Sequence, residues 1–147
     1  MTLATTLVGV LAVCNGLGRI ITGTLFDCLG RRKTMLIATV LTIVAAGTTL
    51  LSVLIGSLPL CIIGLCLTGL SYGSCPTMVS SFVSAFYGAK HFATNFSIMN
   101  CNLICASFMA TACSSLLNTF GSFVAPFILL LTLAVMALII NVSIKRP

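Results

Sequence analysis

The sequence predicts an all-α membrane protein with five transmembrane helices. Of its 147 residues, 59% are hydrophobic and only 5% are charged, whereas a soluble domain carries about 25% charged residues. The mean hydropathy is +1.26, and charges, prolines and glycines divide the chain into five apolar runs. Each run is long enough to cross the hydrocarbon, which takes about 20 helical residues. A soluble core of this chain length could not bury so much apolar surface, so lipid must cover it.

The first two predicted helices flank the most highly charged segment. The first covers residues 2–26 and ends where the charges begin, at Asp27. The second covers residues 34–55, and it starts after the basic residues that follow Gly30 and ends before Gly56. The connection between them is short, so the two helices must run antiparallel.

The remaining three predicted helices follow with equally short connections. The third covers residues 59–86 and begins at Pro59, which suits a first helical position because the missing N–H has no partner there. The fourth covers residues 92–115, and the fifth covers residues 121–144. No stretch is left over for a soluble domain, so residues 1–147 form a single transmembrane domain.

The basic residues fall at alternate ends of the predicted helices. Three clusters come after the first, third and fifth helices, and Arg19 lies near the same end of the first: Arg31-Arg32-Lys33, Lys90-His91 and Lys145-Arg146. Because cytoplasmic loops hold an excess of Lys and Arg, the prediction is an integral protein of the plasma (inner) membrane with the N-terminus outside and the C-terminus cytoplasmic. The net charge of +6 would suggest nucleic acid in a soluble protein, but these bases are too few and too scattered for that.

The sequence offers no enzyme chemistry. Its eight cysteines lie mostly inside apolar runs and form no CxxC or Cys/His cluster, so they are interpreted as small residues between helices. There is no phosphate-binding loop and no pair of carboxylates, since Asp27 is the single acid. We therefore expect no metal and no cofactor.

Polar residues distinguish the helices from one another. The first holds Asn15 and the fourth holds Asn95, Asn100 and Asn102, and such amides are costly in lipid unless they face protein or water. The second and fifth hold no amide except Asn141 near an end. The first and fourth are therefore expected to face protein or a cavity, and the second and fifth to form the lipid-facing rim.

The segment from Asn15 to Lys33 is unusual for a membrane span. Arg19, Gly23 and Asp27 follow each other at intervals of four residues, which places them on one helix face. Gly16 and Gly23 would let a neighbouring helix approach closely, and Gly30 would let the chain turn sharply.

Asp27 has several candidate roles. It could accept hydrogen bonds from Arg31 or Arg32, cap the next helix, or pair with a base on another helix. The plainer alternative is that Arg19 extends its guanidinium to the interface and that the basic loop only fixes orientation. That alternative accounts for the charges but not for an Asp with glycines at these spacings.

The run G-R-x-x-x-G-x-x-x-D-x-x-G-R-R-K, from Gly18 to Lys33, resembles the signature loop of the major facilitator superfamily. In that family the loop lies between helices two and three and recurs between helices eight and nine of the twelve. Four predicted helices and a basic tail follow here, so the resemblance implies a partial major facilitator fold: helices eight to twelve, without helix seven and the N-terminal half. It also implies that helices nine and twelve are peripheral.

The resemblance carries a mechanism as well. Family members work by alternating access, in which two six-helix halves rock about a midplane site and the signature loop acts as a cytoplasmic latch. Carried over, Asp27 and Arg31 would be latch residues, with the rest of the gate motif supporting them: Arg19, Gly23, Gly30 and Arg32.

Residues Asn15 to Arg19, Tyr72-Gly73, Pro76 and Phe86-Tyr87-Gly88 look most like the oxalate/formate antiporter branch, whose members move small monocarboxylates or dicarboxylates. Relatives that take oxalate would be expected to present a base in the fourth helix, yet residues 92–115 hold none. The expected substrate is therefore a monocarboxylate or another small organic anion rather than oxalate itself.

Candidate residues for the solute pathway come from three helices. In the third, Tyr72 and Ser74 precede Pro76, which can bend the helix, and Gly69 with Gly73 makes a GxxxG contact face. Asn15 in the first helix and Asn100 and Ser107 in the fourth complete the set. For each of them the alternative is a structural hydrogen bond to the backbone or to a neighbouring helix.

The predicted function is a secondary active transporter, or a fragment of one. Five helices cannot complete a site between two halves, so a missing N-terminal half or a separately encoded partner chain is expected besides the lipid and the solute. Two other functions stay open: a noncatalytic membrane subunit that packs against other helices, and a homo-oligomeric channel.

Overall fold

The computed structural model describes residues 2–143, and it describes the side chains of residues 5–119 and 121–143. Six α-helices and one short 3₁₀ turn, residues 89–91, account for almost all of that range: α1 (Thr2–Leu29), α2 (Arg31–Ile55), α3 (Leu58–Tyr87), α4 (Phe92–Met99), α5 (Asn102–Phe120) and α6 (Val124–Ser143). The predicted end of the fifth span at Ile144 and the basic residues Lys145 and Arg146 lie outside the described residues.

Five stretches of helix are long and apolar enough to cross a membrane. They are α1, α2, α3, the combined stretch Ala89–Thr119 and α6. The predicted fold class, an all-α membrane protein with five transmembrane helices, is confirmed.

Glycines separate the successive spans. Every positive-φ residue in the described range is a glycine at a helix boundary: Gly30, Gly56, Gly88 and Gly121. At Gly30 the backbone has φ 77° and ψ 171°, a region that is essentially closed to residues with a Cβ. The sharp turn predicted at Gly30 is confirmed.

The fourth span is divided into two helices, whereas the sequence predicts one continuous helix. The division lies at Asn100 and Cys101, where the Cys101 N–H donates to the Ile98 carbonyl at 3.0 Å and the Leu103 N–H donates to the Asn100 carbonyl at 3.0 Å. Bonds across three residues tighten the backbone into a 3₁₀-type turn. Asparagine favours such turns because its amide competes with the helical hydrogen bonds.

The helices pack in the order α1, α3, α2, α6, with α4 against α3 and α5 against α6. Phe26 packs edge-on against Phe82, with ring centroids 5.6 Å apart, near the ends of α1 and α3. Thr22 contacts Ser74, one turn before Phe26 in α1 and about two turns before Phe82 in α3, so α1 and α3 run parallel.

The α2 helix runs antiparallel to its neighbours. Thr42 and Ser71 share a hydrogen bond of 2.6 Å in the middle of α2 and α3. Towards the other end of this contact, a Cβ on Gly64 would lie 2.6 Å from Thr49 Cγ2. These small residues bring α2 and α3 together closely, which is a main source of helix association in lipid.

The second and fifth spans are packed against each other more fully than predicted. Asn141 of α6 is only 4% exposed, and its Nδ2 donates to Thr39 Oγ1 of α2 at 3.1 Å. The prediction that these spans hold no buried amide is wrong, because the last turn of α6 lies against α2 rather than at a free end. Their other faces carry exposed apolar side chains, among them Ile37, Val44, Leu133 and Ile140, as a lipid-facing surface requires.

Candidate functional site

A glycine seam, formed by Gly18, Gly69 and Gly73, lies where α1 meets α3. A Cβ on Gly69 would lie 2.9 Å from the Leu11 carbonyl oxygen. A Cβ on Gly73 would overlap the Asn15 carbonyl, and one on Gly18 would overlap the Leu70 carbonyl. The backbones of the two helices are therefore in contact, and the predicted GxxxG face of Gly69 and Gly73 is confirmed.

The α1 glycine in this seam differs from the ones that the sequence predicts. Gly16 has open space around it, and a Cβ on Gly23 would make an ordinary contact of 3.8 Å with Thr77 Cγ2. The close approach is at Gly18 instead. Gly18 lies seven residues after Leu11 and four before Thr22, on the same face of α1, but that face can be recognised only once its contacts with α3 are known.

Two predicted pathway residues, Asn15 and Ser74, lie along the seam. Asn15 is half-buried, and its Oδ1 is fully buried without a hydrogen-bond partner among the described residues. Ser74 is 3% exposed; its hydroxyl accepts from Thr22 Oγ1 at 2.8 Å and donates to the Leu70 carbonyl at 3.0 Å. Ser74 thus joins two helices, while Asn15 keeps an acceptor free.

Tyr72 lies on a different face of α3 from Ser74. It is 64% exposed and lines a cleft of about 270 Å³ between α2, α3 and α6, together with Thr68, Cys75 and Phe127. Pro76 has no N–H, so the Tyr72 carbonyl lacks its usual helical partner. Tyr72 therefore presents both a phenol and a free carbonyl to its surroundings.

The two candidates of the fourth span lie apart from the seam. Asn100 is half-buried at the division between α4 and α5, and Ser107 is exposed on α5, where its hydroxyl donates to the Leu103 carbonyl at 2.9 Å. No residue of α4 or α5 with a described side chain is buried. The five pathway candidates therefore form no single cavity within the described part of the chain; only Asn15 and Ser74 lie along one helix contact.

The gate motif lies at the end of the bundle where α1 passes into α2. Asp27 is exposed beside a hollow lined by the hydroxyls of Ser80, Ser81 and Ser84. Asp27 forms no ion pair with any described residue. Gly30 is the N-cap residue of α2, and no side chain forms a capping hydrogen bond there. Neither the pairing with Arg31 or Arg32 nor the cap considered for Asp27 is formed.

The basic members of the motif have separate surroundings. The Arg31 guanidinium lies over the Phe86 ring, 4.6 Å from its centroid, whereas Arg19 and Arg32 are exposed. The contact between Arg31 and Phe86 holds the start of α2 against the end of α3. Because α1 and α3 are parallel, the basic loop and Lys90 with His91 share one end of the bundle, as predicted.

Among the described residues, no three His, Cys, Asp or Glu side chains come together as a metal site would need. All eight cysteines are free thiols. The chemistry available at the gate motif is therefore electrostatic: one unpaired carboxylate, a glycine turn and a row of bases at a membrane face.

Five apolar spans and a basic, glycine-hinged loop between the first two define an integral membrane protein with a polytopic helical bundle. A family model described as the Major Facilitator Superfamily matches residues 1–147. The chain therefore belongs to the major facilitator superfamily, which is a family of transporters and not of enzymes. No curated protein and no solved structure matches the chain.

Proposed function

We propose that this chain is part of a secondary active transporter that moves a small organic anion, in the first place a monocarboxylate, by alternating access. The observation that carries the proposal is the exposed Asp27 carboxylate at the turn between α1 and α2, which forms no ion pair with any described residue. A latch must be able to form in one state and open in the other, so its carboxylate needs to be free when the partner base is absent. Gly30 supplies the turn that such a latch needs.

The partner of Asp27 would come from outside this chain. We place the five spans as helices eight to twelve, with a second six-helix half supplied by the same polypeptide or by another chain. The exposed amide of Asn102 at the start of α5 supports this placement, since an amide would be costly against lipid but not against protein or a water-filled pathway.

The solute pathway would run between that second half and the exposed polar groups of this chain. Tyr72 and Asn100 offer hydrogen-bond donors, and Asn15 offers a buried acceptor at the edge of the seam. Ser107 offers its hydroxyl oxygen as an acceptor, because its O–H donates to the Leu103 carbonyl. Arg19 is the only base in α1, and we propose it as the attraction for a carboxylate. The resemblance to the oxalate/formate branch and the exchange of one anion for another belong to the same proposal.

The test is uptake of labelled formate and acetate into membrane vesicles from cells that express the chain with its co-encoded partner. Asp27→Asn keeps the shape of the side chain and removes its charge. A charge-assisted hydrogen bond is worth about 1.5–3 kcal/mol, so exchange should fall by about tenfold or more. Lys90→Gln removes an exposed charge at the same end and should leave uptake within about twofold.

Three results would distinguish the alternatives. Uptake that is unchanged in Asp27→Asn removes the latch. Ion conductance without any counter-solute favours the homo-oligomeric channel, and neither uptake nor conductance in the presence of the partner favours a noncatalytic packing subunit.

A further inference from the structure

A groove of mixed character opens at the loop end of the bundle, between α2, α3, α4 and α6. Its volume is about 340 Å³, and its walls are formed by Met35, Phe82, Phe86 and Met99. Arg31 and Arg32 lie at its rim. Met35 is one helical turn from Arg31 along α2, and Phe82 is one turn from Phe86 along α3, so the walls are mainly apolar towards the membrane interior. The polar exception is Asn141, whose amide donates to Thr39 Oγ1.

The two guanidinium groups at the rim have no anionic partner in the described part of the chain. The single acid, Asp27, lines a different hollow with Ser80 and Ser84. Arg31 rests on the Phe86 ring at 4.6 Å, a contact that fixes its position but leaves its charge uncompensated. Two positive charges, one held on the Phe86 ring and one exposed, therefore lie beside a mainly apolar groove at a membrane face.

We infer that this groove binds an anionic phospholipid, with the phosphate between Arg31 and Arg32 and an acyl chain along Met35, Phe82 and Met99. The charge complementarity favours a head group with a net negative charge over a zwitterionic one, whose ammonium compensates its own phosphate, and Arg binds phosphate through paired N–H donors. The apolar walls select a lipid over a free anion, because a free phosphate would leave them uncovered. Basic pockets between helices at the cytoplasmic face are suited to this kind of lipid.

This lipid site shares Arg31 and Arg32 with the gate motif, but it does not depend on the proposed transport. It requires only the groove and the two arginines, and its test measures lipid retention without any solute. A transporter that lacks the lipid site and a lipid-binding chain that lacks transport would give opposite results in the two experiments.

The test is native mass spectrometry of the full chain purified in detergent and titrated with phosphatidylglycerol or phosphatidylcholine of the same acyl composition. Phosphatidylglycerol should bind several times more tightly. Neutralising both arginines, Arg31→Gln with Arg32→Gln, should weaken its binding by about tenfold and leave phosphatidylcholine unchanged. The matched control, Arg19→Gln with Lys90→Gln, removes the same charge outside the groove and should change binding by less than about twofold.

Two further variants keep the test decisive if the neutralised chain does not fold, as judged by its helical circular dichroism. Arg31→Lys with Arg32→Lys keeps the charges but loses the paired donors, so it should weaken binding less than the double neutralisation does. Met35→Glu places a carboxylate one turn below the rim and should weaken phosphatidylglycerol binding about as strongly as the double neutralisation. The site is overturned if the double neutralisation of Arg31 and Arg32 weakens binding no more than the control pair does, or if neither the double neutralisation nor Met35→Glu weakens it. It is also overturned if inorganic phosphate displaces the lipid at equal concentration.

Discussion

At the scale of single residues, the position with the strictest steric requirement is Gly73, which lies against the backbone of Asn15. Gly73→Ala would push a methyl group into the Asn15 carbonyl, and overpacking of this kind costs about 1–3 kcal/mol. We expect a loss of that size in the free energy of unfolding, measured in detergent by titration with dodecyl sulfate and circular dichroism.

Gly16→Ala is the matched control, because Gly16 has open space around it. An alanine there should leave stability unchanged or raise it by about 0.5–1 kcal/mol through helix propensity. Equal losses in both variants would mean that the seam is not where α1 and α3 meet.

Asn15 allows a stability effect to be separated from a transport effect. A buried acceptor without a partner costs about 1–3 kcal/mol, so Asn15→Ala should raise the unfolding free energy by about 1 kcal/mol. If the Oδ1 atom serves the solute, uptake should fall at the same time. Asn95→Ala is the comparison, because the Asn95 amide only donates to the carbonyl of His91 at the start of its own helix, at 2.9 Å. In this variant the free energy of unfolding should not rise and uptake should not fall.

Residues whose signal is local could be predicted from the sequence. Gly30 lies between Asp27 and Arg31 at a helix end, so the turn there was predictable. Gly69 and Gly73 have the spacing of a helix contact face, so their close contact was predictable as well. Gly18 was not, because its role depends on which face of α1 meets α3. The partner of Asp27 could also not be predicted from the sequence, since three kinds of partner were chemically suitable. The structure forms none of these interactions among the described residues.

At the scale of helices, the contact between α2 and α6 depends on a single polar pair. Thr39 Oγ1 accepts from Asn141 and also donates to the Met35 carbonyl at 2.8 Å, so Asn141→Leu leaves the threonine hydroxyl with a partner. Hydrogen bonds between membrane helices are worth about 0.6 kcal/mol on average and up to about 1.7. We expect a loss within that range in the same unfolding assay.

Asn118→Leu is the control for this pair, because Asn118 is an exposed amide on α5. Its replacement should change stability by less than about 0.5 kcal/mol. A larger loss at Asn118 than at Asn141 would contradict the packing of α6 against α2.

Helix existence was predictable from hydropathy, but helix partners and continuity were not. Five apolar runs are visible in the sequence because lipid demands about 20 of these residues in each. The division of the fourth span at Asn100 depends on three-residue hydrogen bonds, and the burial of Asn141 depends on a neighbour 102 positions away. Neither the division of the fourth span nor the burial of Asn141 produces a periodic pattern in the sequence.

At the scale of the whole molecule, one end of the bundle collects the basic loop, Lys90 and His91. The proposed orientation places that end in the cytoplasm. Cys28 is exposed at this end, so a variant that keeps Cys28 and replaces the other seven cysteines by alanine should react with an impermeant maleimide in inverted vesicles and not in intact cells. Labelling from the outside would reverse the topology and remove the cytoplasmic latch.

The same bundle explains why the pathway candidates could not be assembled from the sequence into one site. Tyr72 and Ser74 are two positions apart on a helix and therefore point in nearly opposite directions. Asn100 and Ser107 lie on helices that touch the rest of the chain little. A site between two halves needs the second half before its lining residues face a common space.

The glycine seam has a mechanical consequence for any protein built around this chain. Where the backbones of α1 and α3 touch, at Gly18, Gly69 and Gly73, there is no room for a side chain that could change rotamer, so we expect the two helices to move as one rigid unit. Bending would concentrate instead at the turn of Asn100 and Cys101, where no side chain is buried. The chain thus combines a rigid pair of helices, α1 and α3, with a flexible turn at Asn100 and Cys101. Motion of one is transmitted to the other through the short segment from Gly88 to His91.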